Sequence, residues 1–153
     1  LANYNATVET HWPPAAAFAY LSDFSTSEEW DPGVVRATRL SGSVIGEGSE
    51  FELVARFLGR ETTLIYRVVE YDPPNAITFL GENATVTSRD RLTFEASGRG
   101  TRVAYQADLQ LKGGMRLADP LLAIAFKRVG DRALASLGRV LARPEPSRGD
   151  AVA

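Results

Sequence analysis

Thr101, Val103, Tyr105, Ala107, Leu109 and Leu111 alternate with Arg102, Gln106, Asp108, Gln110 and Lys112 in the most regular run of the chain. A period of two with one apolar and one polar face predicts a strand of an antiparallel sheet covered on one side only. Looser alternations predict strands over 4–10, 34–40, 49–57, 61–71, 76–80 and 85–95. In the third of these, Phe51, Leu53, Ala55 and Phe57 share a face. In the last, Val86, Ser88, Asp90, Leu92 and Phe94 oppose Thr87, Arg89, Arg91 and Thr93. Asp72-Pro73-Pro74-Asn75 and Ser97-Gly98-Arg99-Gly100 supply turn chemistry between strands. Pro13-Pro14 opens a short helix from Ala15 to Leu21, because proline suits a first helical turn. Thr26 to Trp30 adds one further helical turn before Asp31-Pro32-Gly33.

The pattern changes period after Lys112-Gly113-Gly114. A helix is predicted from Met115 to Leu141, and at 1.5 Å per residue it would be about 40 Å long. Leu117 to Phe126 is apolar almost all the way round, whereas Val129, Ala133, Leu137 and Val140 form a single stripe. A helix lying on a sheet needs only the stripe. The extra apolar surface must face a loop, a partner or a cavity. The elements together predict an α+β domain: a curved antiparallel sheet of about seven strands, two short helices after the first, and one long C-terminal helix. A single domain over 1–143 is expected, with 144–153 as a disordered tail.

Composition narrows the function by exclusion. At 153 residues, 44% hydrophobic and 24% charged, the chain can bury a core without staples. The net charge of −2 gives no global attraction for nucleic acid or an anionic membrane. There is no cysteine and one histidine, His11, so disulfides, thiolate chemistry and the usual zinc ligand sets are unsupported. His11, beside Trp12 at a strand end, has no nucleophile or carboxylate motif near it and reads as a junction residue. No metal and no cofactor are expected. Gly42, Gly46 and Gly48 lack the spacing and the following helix of a dinucleotide fingerprint; they read as a hairpin rim able to gate a cavity mouth. No apolar run approaches the roughly 18 residues of a membrane span, so stable membrane insertion is not expected. Leu1 to Asn5 lack the basic start of a secretion signal, and a cytoplasmic location follows as the expectation. The triplets at Asn5 and Asn83 are then expected to stay unglycosylated. Arg116, Lys127, Arg128, Arg132, Arg139 and Arg143 read as a solvated helix face, the last of them suiting the helix dipole.

Trp12-Pro13-Pro14 through Phe18, Leu21 and Asp23 resembles the first strand-to-helix junction of the polyketide cyclase/dehydrase-like branch of the START-related (SRPBCC) superfamily. Trp30-Asp31-Pro32, Gly46-Glu47-Gly48-Ser49, Tyr71-Asp72-Pro73-Pro74 and Gly100-Thr101-Arg102-Val103 resemble its later landmarks, over roughly residues 4 to 142. The resemblance implies the helix-grip fold, in which a curved sheet wraps the terminal helix around a cavity for a hydrophobic ligand. These motifs are turn chemistry, and they mark a fold rather than a reaction.

On that frame the expected cavity has Leu122, Ala125, Phe126 and Val129 on one wall. Phe51, Leu53, Tyr66, Phe79 and Ala107 stand opposite, with Ser88, Asp90 and Tyr105 as polar groups. A carboxylate on that apolar face would be desolvated and its pKa raised, which suits a general acid or an acceptor for a ligand hydroxyl. The structural alternative pairs Asp90 with Arg67 or Arg89. Three functions remain open: binding of a lipid- or polyketide-like molecule, an aromatase/cyclase or dehydratase using Asp90 or Tyr105, and a protein-interaction module built on the apolar front of the helix. Monomer and homodimer are both compatible with the pattern, and no nucleic-acid partner is expected.

Overall fold

The computed structural model describes residues 2–57, 59–112 and 120–146, with side chains in the last segment from Ala123 onward. Strand β1 (Ala2–Thr10) is followed by α1 (Pro14–Ser22), a 3-10 turn (Phe24–Thr26) and the single turn α2 (Ser27–Trp30). Then come β2 (Val34–Arg39), β3 (Glu50–Phe57), β4 (Arg60–Asp72), β5 (Ala76–Glu82), β6 (Val86–Ser97), β7 (Gly100–Leu111) and α3 (Pro120–Val140). All seven strands join one antiparallel sheet in the order β1-β7-β6-β5-β4-β3-β2. Strands β2 to β7 are thus a meander, and β1 adds to β7 at the far edge. Register shifts between Val34 and Arg36 and between Val68 and Glu70 add local bends, and such bulges help a sheet curl. This is the helix-grip architecture expected from the element order. The expected helical residues 115–119 and tail residues 147–153 lie outside the described residues.

The last helix is held by its C-terminal half. Ala133, Leu134, Leu137, Val140 and Leu141 are buried, with Leu137 and Leu141 fully so. The last carbonyls of a helix have no partner within it. Here the β1–α1 junction donates to the chain at that end: Thr10 Oγ1 to the Leu141 carbonyl at 2.7 Å and Trp12 Nε1 to the Arg143 carbonyl at 2.7 Å. Nearer the middle of the helix, Tyr4 donates its hydroxyl to Asp131 Oδ1 at 2.9 Å. The Tyr4 ring occupies the space a side chain on Gly130 would need, with ring carbons 2.6–2.7 Å from an added Cβ. Glycine there lets α3 approach β1 closely.

The front of α3 is different. Ala123, Ile124, Lys127 and Arg128 are exposed, and Phe126 and Val129 are only half-buried. The helix is fastened at one end and overhangs the sheet at the other. Lys127, Arg128, Arg132, Arg139 and Arg143 are not buried, as a wet outer face requires. The apolar front as a partner surface includes 117–119, which lie outside the described residues, while Ile124 is half exposed.

Candidate functional site

Between the sheet and α3 lies a cavity of about 230 Å³. Its helical wall is Phe126, Val129, Gly130, Ala133 and Leu134, positions spaced as one face of a helix. Leu53 and Ala55 from β3, Leu64 and Tyr66 from β4, and Val86, Ser88 and Asp90 from β6 face it across the sheet. Tyr105, Ala107, Leu109 and Leu111 from β7 complete that wall. Period-two alternation explains the set, since every second residue of each strand points inward. Trp30 and Asp31, at the end of α2, join the lining from outside the sheet.

Eight of the twelve residues expected here meet the cavity: Leu53, Tyr66, Ser88, Asp90, Tyr105, Ala107, Phe126 and Val129. Phe51 and Phe79 do not, although both are fully buried on the expected face. Phe24, from the 3-10 turn, stacks on Phe79 with ring centroids 4.0 Å apart and planes 15° from parallel. It also meets the edges of Tyr66 at 5.0 Å and Phe51 at 6.4 Å. Phe24 therefore plugs that end of the cavity, and the two phenylalanines become solid core behind it. Ala125 is half-buried but lies off the lining face of α3, and the Leu122 side chain is outside the described residues. No residue of the glycine-containing 41–48 loop belongs to the cavity lining. His11 is exposed between β1 and α1. The Asn83 side chain is engaged in its own turn, accepting from the Thr85 and Val86 amides at 2.9 Å each.

The polar centre of the cavity is compact. Ser88 donates to Asp90 Oδ1 at 2.7 Å, and the Tyr105 hydroxyl donates to Asp90 Oδ2. Arg67 and Arg89 are exposed, so neither is the buried partner of Asp90. Burial drives the Asp90 carboxyl above the ordinary carboxylate range, opposed by the Tyr105 and Ser88 hydrogen bonds. Burial also raises the Tyr105 phenol, with the Asp90 charge adding to it. Tyr66 is raised by burial and by the same charge, while its neighbour Ser88 acts the other way. Trp30 closes over Tyr105 edge-on, ring centroids 6.2 Å apart.

Asp31 is a charged site residue that the sequence marked only as a turn landmark. Its Oδ1 accepts the Gly33 amide at 2.8 Å, and burial pushes its carboxyl up to about 6 against that hydrogen bond, with the Asp90 charge adding. Trp30 is 2% exposed, and a carboxylate immediately after a buried tryptophan at a helix end was the available signal. The folded pKa lies above the unfolded one, so folding takes up a proton here. The associated stability is fully present below the ordinary carboxylate pKa of 3.8 and is lost as pH rises through about 6. Asp31→Asn keeps the acceptor for Gly33 and removes the ionisation. It is expected to stabilise the protein by about 1–3 kcal/mol at pH 8 and hardly at all at pH 4. Urea titrations at the two pH values would measure this, and an equal effect at both would refute the assignment.

Among the described residues no cluster of His, Cys, Asp and Glu could hold a metal ion, and no helix is long and apolar enough to cross a membrane. The arrangement offers an apolar chamber with two carboxyl groups and three phenols.

The family model for polyketide cyclase / dehydrase and lipid transport matches residues 2–142. No curated protein sequence matches the chain. Solved structures do. A START superfamily protein from Mycobacterium smegmatis is 16% identical, with a TM-score of 0.75, covering 91% of this chain and 96% of the other. A protein from Thermus thermophilus is 17% identical, with a TM-score of 0.76 and the same coverage. The Zhui aromatase/cyclase from a Streptomyces species is 14% identical, with a TM-score of 0.71, covering 91% of this chain and 90% of the other. At these identities the likeness is one of fold.

Proposed function

The chain belongs to the polyketide cyclase / dehydrase and lipid transport family, and from this premise we propose that it binds a lipid- or polyketide-like small molecule in the cavity between the sheet and α3. The observation that supports this most is the cavity itself. Interiors normally pack to crystal-like density, yet here about 230 Å³ stays open beneath an overhanging helix. The wall is apolar with a few convergent polar groups, the usual composition of small-molecule sites. Apolar burial would supply affinity at about 25 cal/mol per Å², and Ser88, Asp90 and Tyr105 would supply orientation.

Ala107→Ile tests the reading by filling the chamber. Ala107 is 7% exposed and lies between Tyr4 on β1 and Asp90 on β6. A β-branched side chain suits its strand. The variant is expected to fold, with unchanged or higher Tm, and to lose the ligand-induced rise in Tm that the natural protein displays with a lipid and polyphenol panel. An equal rise in both proteins would sink the proposal.

A second reading, an aromatase/cyclase or dehydratase, is favoured by the Asp31, Asp90 and Tyr105 groups converging on one apolar space, because raised carboxyl pKa values suit general acid–base work. The same binding experiment separates the two readings. Mass spectrometry of recovered ligand gives unchanged molecules for a carrier and a cyclised or dehydrated product for an enzyme.

A further inference from the structure

The charged groups of the cavity wall are distributed unevenly. Asp31 and Asp90 lie within it, on α2's end and on β6. The single cation of the described lining is Arg56, whose side chain is 62% exposed and paired with Glu61 at 3.2 Å. The described interior is therefore rich in acceptors and has no cation of its own. Asp90 has both oxygens filled by Ser88 and Tyr105. Asp31 receives one hydrogen bond, from Gly33 at Oδ1, and among the described residues none reaches Oδ2. Tyr66, only 8% exposed, turns its hydroxyl to the same space beside Ser88, and Ser88 spends its own proton on Asp90. Ser88 is the one side-chain hydrogen-bonding neighbour of the Tyr66 hydroxyl among the described residues.

Polar groups in an apolar chamber cost free energy until they are paired. A ligand bringing an O–H or N–H donor would pair Asp31 Oδ2, and a hydroxyl oxygen could at once accept from Tyr66. A ligand bringing a carboxylate would place a negative charge beside the carboxyl groups of Asp31 and Asp90 in a low dielectric, where like charges are costly. We propose that the cavity selects hydrophobic molecules bearing an alcohol, phenol or amine, held at Asp31 and Tyr66, and rejects fatty acids and other apolar carboxylates. The selectivity rests on the proposed binding function and adds the chemistry of the head group to it.

The test uses the natural protein near pH 7.5 and three probes of one two-ring body: naphthalene, 2-naphthol and 2-naphthoate. Displacement of the neutral fluorophore N-phenyl-1-naphthylamine reads affinity. 2-Naphthol is expected to bind about tenfold or more tightly than 2-naphthoate, a gap of about 1.4 kcal/mol. Asp31→Asn is expected to shrink that ratio, mainly by admitting 2-naphthoate, since an amide is neutral. If naphthalene binds while 2-naphthoate equals or beats 2-naphthol, the selectivity is wrong and the binding function stands. An unchanged ratio in Asp31→Asn also overturns the assignment to Asp31. If neither the fluorophore nor any probe binds, the binding function falls and the selectivity with it.

Discussion

Replacing Trp12 with alanine is expected to cost the fold about 3–5 kcal/mol, the usual range for truncating a buried aromatic. Trp12 is 2% exposed and meets Tyr20 edge-on at 5.5 Å. Its indole N–H is the donor to the Arg143 carbonyl, and its own carbonyl accepts from Thr101 Oγ1 at 2.8 Å. One residue thus ties the start of α1, the start of β7 and the end of α3 together. Removal leaves a large void and a carbonyl without its donor. The midpoint of urea unfolding would measure the loss, and a change below about 1 kcal/mol would show that the anchor lies elsewhere. Trp12→Phe keeps most of the burial and loses the donor. It should cost about 1–2 kcal/mol, plus whatever the smaller ring fails to fill. Because α3 is fastened mainly at this end, loss of the anchor should also free the helix that roofs the cavity.

Gly81→Ala should damage the site more than its size suggests. Gly81 on β5 stands opposite Tyr66 on β4 and Ser88 on β6. An added Cβ would fall 2.4–2.6 Å from three carbons of the Tyr66 ring. The ring lies across the glycine, and Phe24 at 5.0 Å blocks an easy retreat. The expected cost is about 1–3 kcal/mol from overpacking, with Tyr66 pushed out of place and the ligand-induced rise in Tm lost. A double variant, Gly81→Ala with Tyr66→Ala, should be less destabilised than the sum of the singles, because the clash vanishes once the ring is gone. Strict additivity would mean that the ring and the glycine are not coupled.

These two residues measure how legible the sequence was. Trp12 stood out at once, since Trp12-Pro13-Pro14 marked the strand-to-helix junction of the fold. Gly81 did not: the predicted strand stopped at Leu80, whereas β5 continues to Glu82. A glycine inside a strand commonly marks a close approach by another group, and that signal was present but unused. Similarly, Ser88 and Asp90 were readable as inward polar groups, because alternation alone assigns their face. Phe24 lies between the two predicted short helices, where no local pattern assigns it a face. Its stacking on Phe79, which removes Phe79 and Phe51 from the cavity wall, depends on a contact between segments about fifty residues apart. Asp31 was visible only as a turn residue for the same reason.

Local periodicity determined most of the architecture. The strands, their inward faces, the two short helices and the long amphipathic helix all follow from side-chain spacing of two or about 3.6 residues. The absence of cysteine and the single histidine likewise limited the chemistry independently of the fold. Tertiary structure decided what periodicity cannot encode. It set where the core ends and the cavity begins, because a void depends on which rings from distant segments meet. It brought Asp31 beside Asp90, because charge coupling depends on distance through space and not along the chain. It fastened α3 at its end through Thr10 and Trp12 and at mid-helix through Tyr4, and so set Phe126, Val129, Gly130, Ala133 and Leu134 as a roof over a chamber.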